Sequence, residues 1–298
     1  MRMRILLLGA DSLLGQAVLR LAAAEFIAIN AVERPAQGWQ AEQLKGWFAE
    51  YQPDAVINLA FYHQHFQLGS NDGSNLALQR KFGKELIALS KQADSLLFLL
   101  SSARVFDGLK TTGYTEKDAT APGDALGQLH VDLEKQLKEN CRRHIMLRLG
   151  WVLDTSADGQ LVKLLDQLHS PEPLQLAEEW RGNPTPVGDA ARVILGILKQ
   201  LDCTDDLYGT YHYGSSEASS WISFAKSLVQ ELMAAKRLEH VPTIRSVPFD
   251  QQLDSAWEPQ NAVLLSRRLL MTFGIKPRAW RTQLPELLNH LPILAQEE

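Results

Sequence analysis

Gly9-Ala10-Asp11-Ser12-Leu13-Leu14-Gly15 stands between an apolar run, Ile5 to Leu8, and a segment of helical composition, Leu13 to Ala24. Glycines in a turn after a strand and before a helix suit the binding of an anionic diphosphate. Backbone N–H groups and the helix N-terminus face the anion, and small residues let it come close. The fuller pattern has a middle glycine, and here Ser12 takes that position. Its hydroxyl can cap the helix or reach a phosphate, while its Cβ makes close approach less free. A second reading stays open, in which Gly9 only bends the chain and Gly15 only packs. Where an acidic residue would take a ribose diol, the chain has Asn30 and then Glu33-Arg34. Arg34 suits a 2′-phosphate, which leans the expectation to NADP(H) over NAD(H). Tyr62-His63-Gln64-His65 pairs two imidazoles, but no third ligand stands near in sequence, and no metal site is expected.

Such a turn needs a sheet to hold it. Apolar runs predict strands at Ile5 to Leu8, Phe26 to Ile29, Ala55 to Leu59, Leu96 to Leu100 and Ile145 to Leu149. Between them, periodicity and composition predict helices at Leu13 to Ala24, Ala41 to Tyr51, Asn75 to Gln92 and Leu126 to Asn140. Strand and helix alternating at this spacing give βαβ units and an α/β fold of the Rossmann type, a doubly wound parallel sheet. After Gly150 the rhythm loosens. Helices are expected at Gly159 to His169, Val187 to Leu201 and Trp221 to Lys236, with a proline-punctuated tail from Val241. Residues 1–150 with about 186–214 are read as the dinucleotide-binding domain, and about 151–185 with 215–298 as a smaller C-terminal α/β substrate lobe.

The bulk properties narrow the class. The 298 residues carry 45% hydrophobic and 22% charged side chains, enough for a sizeable core. A net charge of -5 without a Lys/Arg cluster excludes the electrostatic footprint of a duplex binder. Two distant cysteines, Cys141 and Cys203, point to a reducing compartment rather than a disulfide framework. The apolar run at Ile5 stops at Gly9, too short for a secretory h-region, and no run approaches a membrane span. The expected location is the cytoplasm, with neither nucleic acid nor membrane as a partner.

Four motifs carry a family resemblance. Ser101-Ser102-Ala103-Arg104-Val105-Phe106-Asp107-Gly108 resembles the S-T-D-Y-V-F-D-G segment of the dTDP-4-dehydrorhamnose reductase (RmlD-like) family, extended short-chain dehydrogenases/reductases. Tyr114-Thr115-Glu116-Lys117-Asp118-Ala119-Thr120-Ala121-Pro122 resembles its Y-x-E-x-D-A-T-A-P, and Arg148-Leu149-Gly150-Trp151-Val152 its R-T-S-W-V. Gly182-Asn183-Pro184-Thr185 resembles its G-A-P-T, with Trp221 and Asn261 at the corresponding late positions. The resemblance implies a Rossmann cofactor domain, a nucleotide-sugar lobe, and reduction of a 4-keto sugar by NAD(P)H. It places Leu59, Ala60, Phe61 and Ser101 beside the cofactor, and Ser102, Arg104, Trp151 and Arg181 near a substrate. The regulatory subunit of methionine adenosyltransferase resembles the same family without driving a pathway as a reductase.

The departure from the family is chemical. These reductases need a Tyr-x-x-x-Lys pair, in which the phenol gives a proton to the carbonyl and the ammonium lowers its pKa and holds the ribose. Aligned from Ala119-Thr120-Ala121-Pro122, the pair falls on Leu126 and His130, and no Tyr-x-x-x-Lys occurs anywhere in the chain. Leucine has no proton to give, and loss of one general acid costs on the order of 10²–10⁴ in rate. Ser102 keeps a hydroxyl, and His130, with an ordinary pKa of about 6.5, is either a substitute acid or a helix-face histidine near the ribose. The family's Asp-Tyr has become Ala103-Arg104, with Arg104 either contacting an anion or lying solvated in its loop. The resulting expectation is an NAD(P)-binding, catalytically degenerate relative, acting as a ligand sensor or regulatory subunit with a protein partner or a second copy. Two alternatives stay open: an active oxidoreductase with a rearranged proton donor, and a scaffold without nucleotide binding.

Overall fold

The computed structural model describes residues 3–62, 73–153, 155–157, 159–204, 206–251 and 259–289. In chain order the N-terminal half contains β1 (Ile5–Leu8), α1 (Leu13–Ala24), β2 (Ile29–Val32), α2 (Leu44–Tyr51), β3 (Ala55–Asn58), α3 (Gly73–Gln92), β4 (Leu96–Ser102), α4 (Ala125–Asn140) and β5 (His144–Leu149). There follow β6 (Val152–Leu153), α5 (Gln160–His169), β7 (Leu174–Ala177), β8 (Arg181–Gly182), β9 (Thr185–Pro186), α6 (Val187–Leu201) and β10 (Gly209–Tyr213). The chain continues through β11 (Ser219–Ser220), α7 (Trp221–Ala234), β12 (Ile244–Val247), α8 (Arg267–Phe273) and α9 (Leu284–Asn289).

The central sheet runs β10-β5-β4-β3-β1-β2, every pairing parallel. Every residue of β1, β4 and β5 is buried, which is why their sequences read as continuous apolar runs rather than alternating ones. The order reverses at β1, which pairs with β2 on one side and β3 on the other. Ligands of open α/β sheets bind at such a switch point, beyond the carboxyl ends of the strands. Helix α6 joins α1 in the core on one face, through Ile194, Ile197 and Leu198 beside Leu14 and Val18. Helices α3 and α4 cover the other face, with Phe82, Leu86, Leu129 and Leu133 over Leu97 and Leu99.

Three expectations are corrected. The second strand is Ile29–Val32 rather than Phe26 to Ile29. Phe26 ends α1 instead, at φ 57 and 97% exposed, its N–H on Ala23 O and that of Ile27 on Ala22 O. That is a Schellman termination, which consumes the residues read as strand. The helix expected over Ala41 to Tyr51 begins as a 3-10 turn, Ala41–Gln43, before α2. The sixth strand, β10, was not foreseen, because Gly-Thr-Tyr-His-Tyr shows no apolar run. Its burial is decided by pairing with β5, Gly209 opposite Ile145.

The second lobe is built on short pairings, β12 with β7, β8 with β11 and β6 with β9. Its centre is a tryptophan cluster. The Trp151, Trp180 and Trp221 rings lie 5.1–5.6 Å apart, and Phe224 bridges Trp221 to Trp280. Among the described residues, no helix is long and apolar enough to cross a membrane.

Candidate active site

The glycine turn closes on itself tightly. Gly9 has φ +88, and a Cβ there would lie 2.3 Å from Leu59 O; a Cβ on Gly15 would lie 2.3 Å from Gly9 O. Both glycines are therefore fixed by close backbone approach. Ser12 resolves its two sequence readings in favour of the cap. Its Oγ donates to Gly9 O at 2.7 Å and accepts from Gly15 N at 3.0 Å, and the residue is 2% exposed. Its side chain thus turns into the loop and leaves the outer face clear. A helix start leaves four N–H groups without intrahelical acceptors. Ser12 N goes to Gly9 O and Gly15 N to Ser12 Oγ, which leaves those of Leu13 and Leu14 for an acceptor from outside. Two N–H groups at the end of a twelve-residue helix, beneath a turn of small residues, fit a dinucleotide's pyrophosphate.

Beside the turn, Gly9 N and Ala10 N both donate to Val32 O, at 3.0 and 3.1 Å. Arg34 N donates to Asp11 Oδ1 at 2.9 Å, joining the exits of β1 and β2. Asp11, Glu33 and Arg34 are all exposed. Leu59 N donates to Leu8 O at 2.9 Å, and Ala60, half-buried, lies at the exit of β3. Phe61 turns inward onto Phe82, ring centroids 5.3 Å apart. His63 and His65 lie outside the described residues; Tyr62 is 1% exposed.

The exits of β4 and β5 are built differently. Leu126, where the family's tyrosine falls, is wholly buried in the core under α4. His130, one turn on, brings Nδ1 to 3.2 Å from Ser102 Oγ, and Ser102 Oγ also accepts from Arg104 N. Ser102 is 0% and His130 3% exposed. One further turn along α4 is a residue the sequence reading missed. Glu134 accepts from Ser101 Oγ at 2.6 Å and holds Arg148 through two hydrogen bonds, 2.9 and 2.5 Å. The available signal was the i, i+4, i+8 spacing of Leu126, His130 and Glu134 on one helix face. Arg148 continues to His212 Nε2 at 3.2 Å and lies over the Phe106 ring. Arg148 only donates and Tyr114 O only accepts, so His212 is neutral with its proton on Nδ1. Burial, and next the Arg148 charge, push the His212 pKa down to about 3.

The residues expected at a substrate separate in space and exposure. Arg104 is not a solvated loop arginine: its side chain is 4% exposed and pairs at 2.5 Å with Asp124, the N-cap of α4. Trp151, at φ +44, is wholly buried against Trp180 and Trp221, and a Cβ on Gly182 would meet its ring at 2.4 Å. Arg181, on β8, is exposed. The Val105-Phe106-Asp107-Gly108 block is a brace. Phe106 stacks on Tyr114 at 4.1 Å, and Asp107 accepts from Tyr114 Oη at 2.7 Å, a bond that holds the carboxyl below its ordinary pKa. Asn261 N donates to Gly108 O at 3.2 Å, tying the tail to this loop.

At this edge a cavity of about 20 Å³ opens between α3, α4 and the sheet, lined by Asn58, Phe61, Ser101, Leu129 and His130 among others. Larger clefts, about 570 and 410 Å³, lie at Arg4, Lys45 and Gln52 and at Met3, Arg143 and Asp202. These are at the amino ends of the strands, where this fold class does not bind its ligands; size alone does not locate the site.

The parallel six-stranded sheet, its switch point and the glycine turn define a Rossmann-type fold with a second lobe, the architecture of an extended short-chain dehydrogenase/reductase. The chain belongs to the family of the RmlD substrate binding domain, whose model matches residues 3–293. It is 26% identical over 238 residues to a dTDP-4-dehydrorhamnose reductase of Aggregatibacter actinomycetemcomitans, covering 80% of this chain and 81% of that one. Among solved structures, dTDP-4-dehydrorhamnose reductase of Bacillus anthracis in complex with NADP superposes with a TM-score of 0.79 at 19% identity, covering 97% of this chain and 98% of that one. The Bordetella bronchiseptica enzyme WbmH in complex with NAD+ gives 0.75 at 14%, covering 97% and 98%.

Proposed function

We propose that this chain binds a nicotinamide dinucleotide across the Gly9–Gly15 turn and has little or no reductase turnover, acting as a ligand-responsive or partner-regulating relative of the dTDP-4-dehydrorhamnose reductases. The observation that carries this is Leu126. It occupies the position where the family's proton donor falls, and it is wholly buried in the apolar core. Leucine has no proton to give, so the family's acid is missing from this edge. The turn keeps what a pyrophosphate needs: two outward N–H groups, a capped helix start and no side chain from Ser12. A bound nicotinamide would supply hydride. Against it, this chain offers a serine and an imidazole, both held by protein partners. A nucleotide sugar or related ligand is the small-molecule class the family suggests, with Arg181 the exposed member of the expected substrate set. The reducing cytoplasm is the proposed location, matched by two free cysteines, Cys141 and Cys203.

The test is oxidation of NADH and NADPH with a dTDP-4-keto sugar, on the natural chain and on Leu126→Tyr/His130→Lys. We expect no rate above the uncatalysed background from either, because position 126 is wholly buried in the apolar core and a tyrosine there would not present its hydroxyl to a substrate. Restored turnover in the double variant would mean that only the acid pair was lost.

One observation favours a second reading, an active enzyme with a rearranged donor. Ser102 Oγ lies 3.2 Å from His130 Nδ1, a geometry in which serine could protonate a carbonyl and be recharged by imidazole. Turnover in the natural chain that is abolished by both Ser102→Ala and His130→Gln would establish it.

A further inference from the structure

We infer that the carboxylate of Asp11 sets the choice of cofactor, selecting NAD(H) and rejecting the 2′-phosphate of NADP(H). The inference depends on the dinucleotide reading above and reverses the expectation drawn from Arg34 alone.

The ground for it is the geometry of the corner where β1 and β2 end. Val32 O takes both Gly9 N and Ala10 N, so the last residue of β2 sits directly beside the glycine turn. With β2 ending at Val32, Glu33 is the first residue beyond its carboxyl end, where this fold places the acid that takes the ribose diol. Asp11 reaches the same corner from the turn itself, its Oδ1 fixed by Arg34 N at 2.9 Å. That bond leaves Oδ2 on an exposed side chain, free to accept from a ribose hydroxyl. The Asp11 carboxylate is thus fixed at this corner, and the adjacent Glu33 adds a second acid at the exit of β2. A diol donates to them; a phosphate dianion is repelled by them.

Arg34 does not offset this pair. Its backbone is the part that points to Asp11, while its guanidinium extends to the next turn, 4.0 Å from where a Cβ on Gly38 would stand. That turn is closed by Gly38 N on Pro35 O at 2.8 Å. The charge fixed at the corner of β1 and β2 is therefore the exposed Asp11 carboxylate.

The experiment is calorimetric titration of the full, nucleotide-free chain with NADH and NADPH, repeated for Asp11→Asn. The asparagine keeps an oxygen to accept Arg34 N, so the turn folds while the charge goes. We expect NADH to bind at least tenfold tighter than NADPH at low salt, with the ratio shrinking as salt rises and collapsing several-fold in Asp11→Asn. NADPH binding as well as or better than NADH in the natural chain overturns the inference. An unchanged ratio in Asp11→Asn overturns the role of Asp11. Binding of neither cofactor to the natural chain is a different result, which sinks the dinucleotide reading itself.

Discussion

Two edges of one sheet meet at the same crevice and have been treated differently. At β1, the glycine turn keeps its backbone geometry, its cap and an exposed carboxylate held by Arg34 N. At the exits of β4 and β5, the side chains are buried and paired. Leu126 and Ser102 are 0% exposed, and Ser101 and Arg148 are tied to a buried Glu134. Binding and turnover have separate structural requirements. The first uses backbone N–H groups that a fold of this class supplies at low cost; the second uses side chains of matched pKa with room for a substrate. One edge can be kept while the other becomes core.

The largest break in that comparison should come from Glu134. Glu134→Ala leaves the Arg148 guanidinium buried without its carboxylate, and removing one partner of a buried pair costs about 3–5 kcal/mol. Urea unfolding should show that loss; a change under 1 kcal/mol would mean that the β4/β5 edge is looser than its burial indicates. At the other edge, Gly15→Ala puts a Cβ 2.3 Å from Gly9 O. Such overpacking costs about 1–3 kcal/mol, and it should lower dinucleotide affinity roughly a hundredfold in titration, about 2.7 kcal/mol.

His212 sharpens the comparison through pH. Its pKa in the fold, about 3, lies below the ordinary 6.5, so between those values the unfolded chain takes up a proton that the folded chain refuses. Its contribution is complete above pH 6.5 and is lost as pH falls towards 3. That is a one-proton slope of about 1.4 kcal/mol per pH unit. His212→Asn should flatten the stability profile in the upper part of this window, above the carboxylate range, while dinucleotide affinity stays unchanged. The smallest effect is expected at Ser12. Ser12→Ala removes the cap on Gly15 N and should cost about 1 kcal/mol by thermal melting.

Much of this architecture is legible in the chain itself. Burial on both faces forces β1, β3, β4 and β5 to be nearly continuous apolar runs, and a short run bounded by glycine or proline reads as a strand without any partner in view. The glycine turn and the absence of Tyr-x-x-x-Lys are equally local, since each is a matter of residue type at fixed spacing. Other features depend on distant neighbours. The sequence could place Phe26 in a strand because hydrophobicity does not report a left-handed φ; the Schellman bonds to Ala22 and Ala23 do. The sequence left Arg104 either as an anion contact or as a solvated loop residue; Asp124, twenty positions on, caps α4 and pairs with it. Glu134, Arg148 and His212 come from a helix and two strands, and only their packing makes a continuous buried chain. Residue type thus determined that the family's Tyr-x-x-x-Lys pair is absent. Which chemistry it can keep was decided by tertiary structure, because burial and charge pairing are properties of neighbours rather than of residues.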